Sequence, residues 1–134
     1  MLTIVSWNIQ YGKGVDGRID LDRIADVVKQ DGLPEVLCLQ EVSRNDPETA
    51  NGSDQLSELQ KLFPNYEIFY GASQNRPGGK DGGRRQFGNL ILTRRSPLQV
   101  LHHLLPSPAD PKAKFMSRQT TEIVLSTDSG ALRL

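Results

Sequence analysis

The chain has little of several features that would assign it to a class of protein. Cys38 is its only cysteine among 134 residues, which excludes a disulfide within one chain and a cysteine-based metal cluster. No apolar run approaches the roughly 20 residues of a membrane-spanning helix, and Met1 leads straight into a strand-like segment without the features of a signal peptide. Lysine plus arginine and aspartate plus glutamate number 16 each, and the resulting zero net charge disfavours non-specific coating of nucleic acid. We expect a cytoplasmic globular protein in which residues 1–134 form one domain at most, or the N-terminal part of one.

The first forty residues predict a strand–helix–strand unit. Residues 2–9 and 35–42 are apolar runs typical of buried strands. Asp20 is a candidate N-cap, and the apolar residues after it recur at helical spacing, at Leu21, Ile24, Ala25 and Val28. Gly32 and Pro34 should end this helix.

The rest of the chain predicts one more helix and several strands. Ser53 is the candidate cap of a helix that turns Leu56, Leu59, Leu62 and Phe63 toward the core. Strands are predicted at 66–70, 87–93, 98–105 and 119–126, with a last one after a turn at 127–130. Residues 71–86, rich in glycine and arginine, are predicted to be a loop. The fold class is therefore α/β.

Polar side chains follow the first two predicted strands at the point where each one ends. Asn8 offers an amide, and Glu41 offers a carboxylate that suits Mg²⁺, Mn²⁺ or Ca²⁺. In open α/β sheets ligands bind outside the carboxyl ends of the strands, so both side chains are candidates for a site. The alternative is that they are polar only because the strands reach water there.

Three segments resemble the endonuclease/exonuclease/phosphatase superfamily, the deoxyribonuclease-I-like metal-dependent hydrolases. They are Ser6-Trp7-Asn8-Ile9-Gln10-Tyr11-Gly12, Leu39-Gln40-Glu41-Val42 and Gly88-Asn89-Leu90-Ile91-Leu92-Thr93-Arg94. The resemblance implies a deoxyribonuclease-I-like α/β sandwich of two β-sheets flanked by helices. It also implies hydrolysis of a phosphoester substrate, which in the superfamily is a nucleic acid, an inositol phosphate, a sphingolipid or a nucleotide-capped end.

The resemblance also implies roles for individual residues. Glu41, Asn8 and Arg118 would be the catalytic residues. Glu41 would be a ligand of Mg²⁺ or Mn²⁺, and Asn8 would belong to the same metal site and help to shape it for the phosphate. Arg118 matches an arginine that opens a later strand and faces the phosphate. Asn89 matches a motif asparagine that holds structure more than it does chemistry, although it remains a candidate substrate-binding residue.

The family's later motifs are missing from this sequence. Neither Thr-His-Leu, nor Gly-Asp-x-Asn, nor the terminal Ser-Asp-His occurs in it. The sequence therefore predicts the first half of a sandwich, apparently truncated, and a chain that is inactive alone. We expect an exposed apolar face, formed by residues such as Leu90, Leu92, Ile123 and Leu125, and self-association through an open sheet edge.

Two further patterns leave alternatives open. Residues 76–95 carry a net positive charge, and Arg84 and Arg85 are candidates for recruiting phosphate; a solvated charged loop is the other reading. Gly12, Gly14 and Gly17 fit the spacing of a dinucleotide-binding loop, but Asp16 would lie among the pyrophosphate-binding amides and the predicted helix begins too late. A non-catalytic half-domain that acts through a partner chain is a third possibility.

Overall fold

A four-stranded sheet lies between two helices and a second sheet of three strands. The computed structural model describes residues 2–112 and 116–134. The strands are β1 (Ile4–Asn8), β2 (Val36–Arg44), β3 (Glu67–Pro77), β4 (Arg84–Thr93), β5 (Gln99–Leu105), β6 (Arg118–Thr127) and β7 (Gly130–Arg133). The helices are α1 (Leu21–Lys29) and α2 (Gln55–Leu62). No helix among the described residues is long and apolar enough to cross a membrane.

The first sheet has the order β1-β2-β4-β3, and the second has the order β5-β6-β7. β1 and β2 are parallel neighbours joined through α1, as the predicted strand–helix–strand unit requires. All other pairs are antiparallel. The α/β class and the two-sheet architecture predicted from the sequence are confirmed.

The two helices begin at carboxylate caps and cover one face of the first sheet. Asp20 accepts a hydrogen bond from the Arg23 N–H at 3.0 Å, and the four apolar residues predicted to face the core in α1 are buried. In α2 the predicted cap, Ser53, is wrong by one residue. Asp54 is the cap, because its carboxylate accepts from both the backbone N–H and the hydroxyl of Ser57.

A long two-stranded arm replaces most of the predicted loop at 71–86. β3 continues to Pro77 and β4 already begins at Arg84, so only 78–83 form the turn. Gln74 pairs with Phe87 and Arg76 pairs with Arg85 along this arm. Its strands are polar on both faces, so they lack the alternation of apolar residues by which strands are recognised in a sequence.

The four residues expected to form an exposed apolar face are buried. Leu90, Leu92, Ile123 and Leu125 are all 0% exposed. The first two belong to the core between the first sheet and the helices. Ile123 and Leu125 pack with Val36 and Ile91 in a second core between the two sheets. The prediction was wrong because the second sheet is already supplied by β5, β6 and β7.

The two sheets approach each other closely at Gly71 on β3. A Cβ placed there would lie 2.1 Å from Thr121 Oγ1 and 2.2 Å from Gln119 Nε2, both on β6. Beside it, Asn89 Nδ2 donates to the Gln119 carbonyl at 3.3 Å. Only glycine allows the contact at this point, and it draws β6 onto the first sheet.

Candidate functional site

Asn8, the last residue of β1, meets Glu41, which lies in β2 directly after the last residue paired with β1. Asn8 Nδ2 donates to Glu41 Oε1 at 3.1 Å, and Asn8 Oδ1 accepts from the Gln10 N–H at 3.0 Å. Asn8 is exposed and Glu41 is half-buried. The amide is thus held at both ends, and it orients a carboxylate that water can reach.

A bulge in β2 turns Glu41 toward Asn8. Side chains alternate between the faces of a strand, so Glu41 would otherwise share the face of Leu39 and enter the core under the helices. The register between β2 and β4 shifts between Leu39 and Val42, and Glu41 has a φ of 60°. Such a bulge re-aims one side chain, and the positive φ stores backbone strain of about 1–3 kcal/mol.

Two side chains that the sequence analysis missed hold the bulge in place. Gln55, 0% exposed, accepts from the Ser43 N–H at 3.0 Å and donates to the Tyr11 carbonyl at 2.8 Å. It therefore ties the strand after Glu41 to the turn after Asn8. The Tyr70 hydroxyl donates to the Val42 carbonyl at 3.0 Å, and burial raises the pKa of that hydroxyl, which keeps it a donor.

The sequence contains one signal for the bulge and none for Gln55. Leu37 and Leu39 are two residues apart, whereas the next buried position, Val42, comes after three. That break in the alternation is what an inserted residue produces. Gln55 stands at a helix start where exposed polar residues are common, so nothing in the sequence distinguishes it.

Neither histidine approaches the carboxylate, according to the contacts of the described residues. His102 Nδ1 lies 3.1 Å from Gln119 Nε2, and His103 Nε2 lies 2.7 Å from Glu122 Oε2. The described ranges also contain no group of three or more His, Cys, Asp or Glu side chains arranged to hold a metal ion. Glu41 and Asn8 are thus the core of the candidate site.

The other predicted site residues lie on the arm and on β6. Arg118 opens β6, is exposed, and its N–H donates to Ser107 Oγ at 2.9 Å. Arg84 donates to the side-chain and backbone oxygens of Asn75, at 2.5 and 2.6 Å. Arg85 pairs with Glu48 at 3.0 Å and with Asp46 at 3.8 Å. Asn89 contacts β6, as a residue that holds the sheets together would.

The glycine-rich segment after β1 forms a tight turn of its own. Gly14 N–H donates to the Arg18 carbonyl, and the helix begins only at Leu21. Asp16 accepts from the Arg18 N–H and from the side chains of Arg18 and Arg23, and these hydrogen bonds lower its pKa to about 2. A pyrophosphate would meet this carboxylate instead of a helix N-terminus, so the geometry does not favour the dinucleotide alternative.

The geometry agrees with a match of the chain to a family model. Residues 5–128 match the model of the Endonuclease/Exonuclease/phosphatase family. The chain belongs to this family. Its members are hydrolases of phosphoester bonds, and the superfamily resemblance seen in the sequence is thereby confirmed. A search of curated proteins found no match.

Two solved structures have the same fold. One is an endonuclease/exonuclease/phosphatase from Beutenbergia cavernae DSM 12333, with a TM-score of 0.73 and 23% identity. The other is an endonuclease/exonuclease/phosphatase family protein from Leptotrichia buccalis C-1013-b, with a TM-score of 0.69 and 14% identity. They match 98% and 99% of this chain, which spans only 36% and 53% of theirs. At these identities the likeness concerns the fold.

Proposed function

We propose that the Asn8–Glu41 site serves metal-dependent hydrolysis of a phosphoester bond. The observation that supports this most is the bulge, which carries Glu41 out of the core side of β2 and onto Asn8. A strained backbone conformation costs stability, and residues held in such conformations cluster at functional sites. Family membership supplies the reaction class, and the site supplies the residues.

The oxygen donors fit a hard divalent cation. Mg²⁺ keeps several waters and takes one or two carboxylates from the protein, with substrate phosphates completing its shell. Glu41 would supply the carboxylate to Mg²⁺ or Mn²⁺. Asn8 would orient that carboxylate through Nδ2, since its Oδ1 already accepts from the Gln10 N–H. The cation would neutralise phosphate charge and lower the pKa of a bound water.

The remaining steps depend on groups that the described residues do not bring to Glu41. A hydrolase needs a base to take the proton of the attacking water, and neither histidine is placed for it. Arg118 remains a candidate for binding phosphate oxygens, because its side chain is exposed and a guanidinium matches their geometry. We therefore expect the 134-residue chain by itself to hydrolyse phosphodiesters and phosphomonoesters at least about 10²-fold more slowly than a complete site would.

Mn²⁺ titration tests the site directly. We expect Mn²⁺ to broaden the amide resonances around Asn8 and Glu41 in a saturable way, and Glu41→Gln to abolish the effect. Glu58→Gln is the matched control, because Glu58 is an exposed glutamate in the first turn of α2. Broadening that persists in Glu41→Gln, or that Glu58→Gln removes equally, would contradict the assignment.

The runner-up is a non-catalytic half-domain that acts through a partner chain. It is favoured by one observation: the described residues contain no group of three or more His, Cys, Asp or Glu side chains that could hold a metal ion. Phosphodiesterase activity of the chain alone that disappears in Glu41→Gln would exclude it. Mn²⁺ binding without any turnover would leave the site to act in a larger assembly.

A further inference from the structure

A pocket of about 180 Å³ lies on the arm formed by β3 and β4. Phe87, Gln74, Arg76 and Arg85 line it from β3 and β4, and Asp46 and Glu48 line it from the loop after β2. We call it the Phe87 pocket. None of the candidate catalytic or metal residues lines it, whereas Arg85, a candidate for recruiting phosphate, does.

The pocket and the site lie on the same face of the first sheet and are linked by the contact of Tyr11 with Phe87. Ser43 lies two residues after Glu41 in β2, about 7 Å along the strand, and it pairs with Phe87 on β4. Tyr11 follows Asn8 in the chain, and its ring meets the Phe87 ring edge-on with centroids 6.5 Å apart. A group in the pocket and a phosphate at Glu41 can therefore belong to one small molecule.

The size of the pocket indicates one ring. Pockets for whole drug-sized ligands measure roughly 300–1,000 Å³, whereas an engineered cavity of about 150 Å³ in another protein holds a benzene molecule. The Phe87 ring offers a stacking surface. The Gln74 amide makes no hydrogen bond with any described residue, so its donor and acceptor are available to a ligand.

The charges of the pocket argue against a second phosphate. Its described lining contains two arginines and two carboxylates. Arg85 is already paired with Glu48 at 3.0 Å and with Asp46 at 3.8 Å. A polyphosphorylated inositol ring would bring several negative charges to carboxylates, and a lipid chain would bury polar side chains without partners. A neutral planar ring with its own hydrogen-bond donors and acceptors would neither repel the carboxylates nor leave the polar side chains without partners.

We infer that the Phe87 pocket receives a nucleobase of the substrate. This inference rests on the proposed function, since it gives that site a nucleotide or nucleic acid to act on. The base stacks on Phe87, the Gln74 amide pairs with its polar edge, and a single ribose spans the distance to a phosphate at Glu41. Glutamine amides pair with base edges in this way in many protein–nucleic acid complexes.

Binding of base-containing and base-free phosphates tests the inference. The four nucleoside 5′-monophosphates, ribose 5-phosphate and myo-inositol 1-phosphate are titrated by calorimetry into the full chain carrying Glu41→Gln, without metal. We expect at least one nucleotide to bind about tenfold or more tightly than either base-free phosphate. A short single-stranded oligonucleotide that binds more tightly than its mononucleotide would identify nucleic acid as the source of the base.

Two substitutions locate the binding. Phe87→Leu and Gln74→Ala should each weaken nucleotide binding about tenfold and leave ribose 5-phosphate unchanged. Gln99→Ala, on an exposed part of β5, is the matched control and should change nothing. Equal affinity for nucleotides and ribose 5-phosphate, tighter binding of inositol phosphate, or no nucleotide binding at millimolar concentration would overturn the inference.

The two proposals fail separately. Loss of Mn²⁺ binding in Glu41→Gln together with equal binding of nucleotides and ribose 5-phosphate keeps the hydrolase site and removes the base pocket. Base-selective binding without any Mn²⁺ effect at Glu41 keeps the pocket and removes the metal site.

Discussion

The two faces of the first sheet are built differently. The face under the helices is a continuous apolar core, with Leu37, Leu39, Val42, Leu90 and Leu92 all 0% exposed. The face toward the second sheet has a smaller core and several polar contacts, such as that of Asn89 with the Gln119 carbonyl. At β1 this second face is open, with Ser6 and Asn8 exposed. One face therefore provides stability, and the candidate site uses the other.

The largest effect should come from the helix-covered face. Leu39→Ala removes a fully buried side chain that pairs with Leu90, and should lower the free energy of unfolding by about 2–5 kcal/mol. Cys38→Ala is the matched control. Cys38 is the preceding residue, points to the second sheet and is only half-buried, so the change should cost about 1 kcal/mol or less. Urea unfolding of both variants measures the difference, and equal losses would contradict the comparison.

The sequence predicts the helix-covered face well because apolar spacing defines it. The core residues of α1, its Asp20 cap and the parallel pairing of β1 and β2 all follow from local patterns. The second face depends on residues distant in the chain. The burial of Ile123 and Leu125 depends on Val36 and Ile91, and this contact is invisible to periodicity.

The candidate site was predictable only in part for the same reason. Asn8 and Glu41 stand out as polar residues at strand ends, and the family motifs include both. The hydrogen bond from Gln55 to the Tyr11 carbonyl and the contact of Tyr11 with Phe87 each join segments more than forty residues apart. The polar arm of β3 and β4 has no apolar pattern from which to predict a strand.

An intermediate effect should come from Gln55, which joins β2 just after Glu41 to the turn after β1. Gln55→Leu leaves the Ser43 N–H and the Tyr11 carbonyl without their partner in the core, and should lower the free energy of unfolding by about 2–4 kcal/mol. Because the bulge is then free to relax, Mn²⁺ binding at Glu41 should also weaken.

The control for Gln55→Leu is on the same helix. Gln60 donates to the Tyr66 carbonyl at 3.1 Å, away from the candidate site. Gln60→Leu should lower stability by about 1 kcal/mol and leave Mn²⁺ binding unchanged. If both variants weaken Mn²⁺ binding equally at a temperature where both are folded, Gln55 does not position the site.

The smallest effect should come from the close approach of the two sheets. Gly71 has no positive φ, so Gly71→Ala tests packing alone. The added methyl group meets Thr121 Oγ1 and Gln119 Nε2; the Gln119 amide is at the end of a flexible side chain and can move away, whereas the Thr121 hydroxyl cannot. The free energy of unfolding should fall by about 1–3 kcal/mol, the range for overpacking. Adding Thr121→Ala should recover part of this loss.

Gly83→Ala is the control. The added methyl group would have its nearest neighbour 3.3 Å away, so stability should change by less than about 0.5 kcal/mol. If Gly71→Ala and Gly83→Ala change stability equally, the second sheet does not pack tightly on the first at Gly71. The contrast between the two faces is then greater than the structure indicates.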